Sequence, residues 1–454
     1  MSRGGILPEN SFALQIERMK RTILSLFLLL VLGQYASLAQ DSSRQISLEE
    51  ARSLALKHNE SLKQAGVEVS LAKSRLKMTE AFFLPQANFS YTGISTNNPL
   101  NAFGLKLQQS NIKATDFDPG LLNAPPARAD FSTRIELQQP LINLDLLYQR
   151  KSAAKQIEMY ELMAKRGEQQ IAFETEKIYL QIQMLYEAEK VLQEGLAMAK
   201  AFQKLTKDLY DQGLLPYSDV LNADLHVSAS ETSLHYSQSN ILNASDMLSL
   251  MMGTASGTRY ITEPLAKTSR EIKNTGIGDR ADLKAIKKGM ETYDLMIRSS
   301  RMSYLPKLNA FGNYQLNDNS VFGFKANSYL AGFQLSWNIF NGNRTKNQIV
   351  QHKLEKEKLN SQLNQQTSRA EMEISSTKRQ LDDASFSMKQ QELAVKQASE
   401  ALRVLQNRYS QGLVRSTDVL AAQVSLSQQK LAAVQAIFQY DTAAAMLEFL
   451  TTQQ

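Results

Sequence analysis

The side chains most able to bind metal or move protons here are four histidines, His58, His226, His235 and His352. None stands in an H-E-x-x-H frame or beside a second ligand at helical spacing, so all four read as surface residues. The chain has no Cys, which removes disulfides, thiolate zinc sites, a Cys nucleophile and a lipidated N-terminal Cys. No G-x-S-x-G, G-x-x-x-x-G-K or G-x-G-x-x-G is present, and Gly276-Ile277-Gly278 reads as a linker rather than a phosphate cradle. The Asp and Glu side chains fall on solvated helix faces with no pocket around them, and no acid and base can be paired. The reading is therefore of a protein without catalytic residues, cofactor or metal, and the weight passes to the elements.

The composition favours long helices. With 454 residues, 43% of them hydrophobic, and only 10 Pro and one Trp, the chain is too apolar for disorder and too poor in breakers for many short loops. Met19-Lys20-Arg21, the apolar run Thr22 to Leu32 and Ser37-Leu38-Ala39 form a secretory signal with cleavage before Gln40 and a start at Met19. Residues 1–39 are thus expected to be a leader. Their removal takes away Arg3, Arg18, Lys20 and Arg21 with Glu9 and Glu17, which lowers the net charge from +6 to +4. A weak excess spread along the chain is no nucleic-acid footprint.

The mature sequence is duplicated. Tyr210-Asp211-Gln212-Gly213-Leu214 recurs as Tyr409-Ser410-Gln411-Gly412-Leu413, and Asp219-Val220-Leu221 as Asp418-Val419-Leu420. The predicted repeats span 40–270 and 271–454. Each holds a helix, two strands, a very long helix, a turn and a returning helix. Ser47 and Glu50 form a capping box at the first helix, Asp279 and Asp282 play that part in the second repeat, and Pro85 and Pro306 end the helices. Strands follow in which Ala87, Phe89 and Tyr91, then Phe131 to Leu137, Leu308 to Leu316 and Phe333 to Ile339 alternate with Arg134, Glu136, Gln138, Asn309, Asn313 and Gln334. Each is about ten residues, the length an outer-membrane strand requires, with Tyr314, Tyr329 and Trp337 available for an interfacial girdle. An insertion from Asn97 to Asp130, rich in Asn, Pro and Gly, reads as a loop directed out of the cell. Leu144 to Tyr210 and Arg344 to Tyr409 contain no Pro and carry heptad seams: Ile171, Ile178, Leu185, Leu192, Ala199 in one, and Ile374 through Tyr409 in the other. Val220, Val227, Leu234, Ile241 and Leu248 form a third seam on a returning helix.

These motifs, in this order twice over, resemble the outer membrane efflux protein family, the TolC-like channels. The likeness rests on Ile46-Ser47-Leu48-Glu49-Glu50-Ala51, the Phe-Leu-Pro and Tyr-Leu-Pro strand entries, Trp337-Asn338-Ile339-Phe340-Asn341-Gly342, and the two Tyr-x-x-Gly-Leu turns. It implies a mainly α protein with a membrane β-barrel part: a homotrimer pooling four strands per chain into a 12-stranded barrel, continued by a periplasmic α-helical barrel. It implies an exit duct in the outer membrane, working with a periplasmic adaptor (membrane fusion) protein and an inner-membrane RND or ABC transporter. It also implies a periplasmic gate at Tyr409, Arg415 and Asp418, with Arg415 one place off the family position and Ala421 where a second acid is usual. Helix-tip turns at Gly213, Leu214, Gly412 and Leu413 would meet the adaptor. A soluble periplasmic coiled-coil scaffold or adaptor protein is the competing reading, which fits the helices equally well and differs only on the strands.

Overall fold

A computed structural model describes residues 43–265 and 280–451; the expected leader, Asp279 and the Gly276-Ile277-Gly278 linker lie outside these residues. The described residues pack as two compact units, one from 43–57, 175–265 and 387–438, the other from 58–174, 280–386 and 439–451. Both units draw on both sequence repeats.

In order, the elements are β1 (Ser43–Gln45), α1 (Leu48–His58), α2 (Glu60–Glu80), β2 (Gln86–Thr96), α3 (Pro99–Gln108), α4 (Pro119–Asn123), β3 (Arg128–Ile142) and α5 (Leu144–Asp211). Then come α6 (Tyr217–Met252), β4 (Arg259–Ile261), α7 (Ala281–Met302), β5 (Lys307–Asp318), β6 (Ala326–Ser336), α8 (Arg344–Tyr409) and α9 (Ser416–Thr451). At 68 and 66 residues, α5 and α8 match the Pro-free runs, and the heptad positions are their inward stripes. Ile171, Ile178 and Ala199 are buried on α5, as are Ile374, Leu402 and Tyr409 on α8 and Val220, Val227, Ile241 and Leu248 on α6. Such narrow seams let a helix pack on one side and leave the rest to water.

Within the second unit, four antiparallel strands form one sheet in the order β2-β3-β5-β6, so β2 and β6 are open edges. The register lines up Phe89, Ile135, Tyr314 and Tyr329 across the sheet, and one residue away Ser90, Arg134, Gln315 and Ser328. The alternation predicted strand by strand thus becomes one apolar and one polar face. The apolar face is bare: Phe89, Phe333 and Tyr329 are 67%, 75% and 82% exposed.

Several expectations need correction. Strand β6 stops at Ser336, so Trp337 and Ile339 lie beyond it, and the Trp337 indole donates to the Tyr304 carbonyl at 2.9 Å. Only half the capping box forms. Ser47 Oγ accepts from the Glu50 amide at 3.2 Å, but the Glu50 carboxylate is held by the Arg44 guanidinium at 2.5 Å, a stronger charged partner than a backbone amide. The first helix breaks at Asn59, whose side chain caps α2 by accepting from the Ser61 amide. Asp282 stands in the first turn of α7, where its carboxylate takes a fork of two bonds from Arg280, at 3.1 and 2.7 Å, and accepts from the Leu283 amide at 3.0 Å. A short parallel pair, β1 with β4, was not legible; three residues are too few to show periodicity. It is fixed by Tyr179 and Tyr186, whose hydroxyls donate to the carbonyls of Ile46 and Tyr260 at 3.1 and 2.9 Å.

The Asn97 to Asp130 insertion is a folded element rather than a loop. Its Asn and Pro residues start helices: Asn98 and Asp118 accept from the amides of Asn101 and Gly120, and Pro99 and Pro119 occupy first-turn positions where their missing amides cost nothing. Ala102 and Leu105 are buried, Phe103 meets Phe117 edge to face at 5.7 Å, and Lys106 pairs with Asp116.

Candidate functional site

The two helical turns of the first unit carry every residue singled out for gating and docking. Both helices end in the same device. Gly213 and Gly412 each have φ +74°, with the glycine amide bonded to the carbonyl three residues back and the following leucine amide to the one five back. Those are the two bonds of a Schellman cap. The left-handed φ, not space, demands glycine, since a Cβ at either position would meet nothing within 4 Å. Gly412→Ala should therefore lower the melting temperature, at a cost of about 1 kcal/mol. Gly66→Ala, at an equally open position inside α2, should leave it unchanged or raise it; thermal unfolding followed by circular dichroism checks the opposite signs.

Behind the caps sits a cluster of Phe202, Ala223, Leu402, Tyr409, Val419 and Leu426, with Leu215 and Val414 of the turns packed on it. Leu214 and Leu413, one residue earlier, are 65% and 62% exposed. Tyr409 is only 4% exposed; its ring lies 5.1 Å from that of Phe202 and its hydroxyl 3.5 Å from Thr206 Oγ1. Burial pushes its phenol up, Thr206 offsets part of that, and the nearby Asp219 charge adds to the rise.

Tyr409 and Asp418, both implied for the gate, bond to different partners within one chain. Asp418 Oδ2 accepts from the Arg415 amide at 3.1 Å, so it caps its own helix, and the Arg415 side chain is exposed. Asp219, by contrast, bonds across the two repeats at the turns. Ser416 Oγ donates to its Oδ1 at 2.6 Å, joining the first turns of α6 and α9. Sequence symmetry equated Asp219 with Asp418 and could not show that one reaches across while the other folds back. Thr206, Phe202 and Ser416 had no signal beyond ordinary helix positions.

The histidines are not all at the surface: His235 is exposed, while His58, His226 and His352 are half-buried. Burial pushes His226 down, with the Gln423 side chain opposing, and burial also pushes His352 down. Among the described residues no group of His, Asp or Glu is placed to hold a metal ion, and no helix is long and apolar enough to cross a membrane.

A family model described as "Outer membrane efflux protein" matches residues 51–254 and 277–453. Among solved structures, a membrane protein from Pseudomonas aeruginosa is 17% identical with a TM-score of 0.76, covering 89% of this chain and 92% of that one. The structure described for CusC, in work on folding and transmembrane channel formation, is 14% identical with a TM-score of 0.77, covering 92% and 96%. The outer membrane protein VceC of Vibrio cholerae is 18% identical with a TM-score of 0.73, covering 89% and 96%. At these identities the likeness speaks for the fold. No curated protein matches the chain.

Proposed function

We propose that this chain, which belongs to the outer membrane efflux protein family and is an exit duct of the outer membrane with helices in the periplasm, works as a homotrimer. Three four-stranded sheets close one 12-stranded barrel, and the long helices continue it as a periplasmic α-helical barrel. The observation that carries this reading is the sheet with two open edges and a bare apolar face. Unpaired backbone groups cost several kcal/mol each in lipid, so the edges must pair. Four strands cannot close, eight leave an interior filled by side chains, and twelve is the first multiple of four with a lumen. The polar face, with Arg134, Glu136, Gln138 and Asn313, then lines the passage.

The chain is passive in this reading. A periplasmic adaptor meets the tips at Leu214 and Leu413, whose exposed side chains beside rigid glycine caps suit an apolar groove, and an inner-membrane RND or ABC transporter supplies the energy. The iris includes Tyr409, Arg415 and Asp418. Each repeat, 40–270 and 271–454, contributes one strand pair and one helical hairpin. Cross-linking in mild detergent should give a three-chain species that conducts in planar bilayers, whereas a monodisperse monomer soluble without detergent would overturn the trimer.

A further inference from the structure

The long helices leave the sheet at the periplasmic ends of the strands, so the two hairpin connections, 97–127 and 319–325, open toward the outside. They are unequal in a telling way. The first contains α3, which touches both β3 and β6 although β5 lies between them. It therefore spans the outer end of the sheet, and its hydrogen bonds say on which face. Gln109, at the end of α3, donates from Nε2 to Asp130 Oδ1 at 2.9 Å and to the Ala129 carbonyl at 2.8 Å, and Asp130 Oδ2 accepts from Asn317 at 2.8 Å. Asp130, Asn317 and Ala326 share the polar face by register, and all are nearly closed to solvent, at 2%, 2% and 4% exposure. Helix α3 thus lies over the outer end of the polar face. Its own buried side holds Ala102 and Leu105, while Leu100 and Leu107, seven residues apart, are 81% and 56% exposed.

We propose that the Asn97–Asp130 insertion is a collar that narrows the outer mouth of the duct, with Leu100 and Leu107 as the residues that determine what passes it. This rests on the trimeric duct reading, in which the polar face is the lumen and three copies of α3 bring six leucines to one opening. A narrow ring of leucines holds water poorly, so hydrated ions and charged solutes are held back while amphipathic molecules, which can shed their water, go through. The collar is braced rather than loose: the Lys106–Asp116 pair and the Phe103–Phe117 contact tie α3 to the segment that follows it, and the Gln109 bonds hold its end against the sheet. Selection at the outer mouth therefore adds to whatever the pump selects, and it excludes charged external solutes even when the periplasmic end is open.

The absence of cysteine makes the test clean. Gln138→Cys lies on the polar face, deep below the collar, and Leu137→Cys on the apolar face beside it. A sulfonated maleimide added outside intact cells should label Gln138→Cys slowly. Labelling should speed up about tenfold or more when Leu100 and Leu107 are changed to Asn, since wetting the ring removes the barrier. Because both leucines are exposed, that variant keeps the fold; a second variant joins Thr96 to Arg128, which are register partners, through Asn-Gly and removes the collar outright. Fast labelling in the unaltered background, or no acceleration in either variant, overturns the collar. If instead Leu137→Cys reacts with the aqueous reagent and Gln138→Cys does not react even without the collar, the faces are reversed, and the duct reading falls with it.

Discussion

Arginine at Ile135 will abolish the detergent-stable trimer, and arginine at Asn313 will leave it intact. The two positions lie on neighbouring rows of the sheet but on opposite faces, since Ile135 pairs with Tyr314 and Glu136 with Asn313. On the apolar face, near the middle of the strands, a guanidinium must sit at the depth of the hydrocarbon, where it costs about 2–4 kcal/mol. In a trimer the cost is met three times in one assembly. On the polar face the new guanidinium meets water and stands opposite the Glu136 carboxylate. Unheated gel mobility and recovery in the outer-membrane fraction read the difference. A soluble scaffold would treat the two alike, because Ile135 is 47% exposed and exposed substitutions shift stability by only about 0.5 kcal/mol. Assembly of Ile135→Arg as well as the unaltered chain would place this face in water.

What could be read in advance follows the range over which each signal acts. The seam from Ile171 to Ala199 was legible because a heptad repeats over many turns, and one misplaced residue cannot hide it. The strands were legible for the same reason at period two, although Trp337 continued the alternation past the point where β6 ends. The glycine turns were legible because only a left-handed residue closes such a cap, and Gly213 and Gly412 take that conformation. The insertion reads as a loop because Asn98-Pro99 and Asp118-Pro119 carry the same residues as a turn, and only the burial of Ala102 and Leu105 distinguishes a helix start from a loop. Contacts made at long sequence separation left no trace at all. Tyr409 meets Thr206 across 203 residues and Ser416 meets Asp219 across 197, and nothing local at any of the four positions announces the partner.

Those long-range contacts set the order of effect at the tip. Removing the Asp219 carboxylate will open the iris proposed above further than removing that of Asp418. The Ser416–Asp219 bond is short, partly buried and made to a charged acceptor, the kind worth about 1.5–3 kcal/mol, and it ties the first turn of α6 to that of α9. Breaking it frees one turn to move against the other, which shifts the closed-to-open balance about tenfold or more per chain. Asp418 accepts only from the Arg415 amide of its own turn, so its loss costs a helix cap of about 1 kcal/mol without separating the two repeats. Tyr409→Phe removes one long contact to Thr206 and leaves the ring on Phe202, so its effect should be smaller still. Single-channel conductance in planar bilayers should rise in the order Tyr409→Phe, Asp418→Ala, Asp219→Ala, with Ser416→Ala matching Asp219→Ala because it removes the same bond from the other side. A larger rise for Asp418→Ala than for Asp219→Ala would mean that the closing bonds run between neighbouring chains, where the Asp418 carboxylate leaves Arg415 to reach a partner, and not between the two turns of one chain.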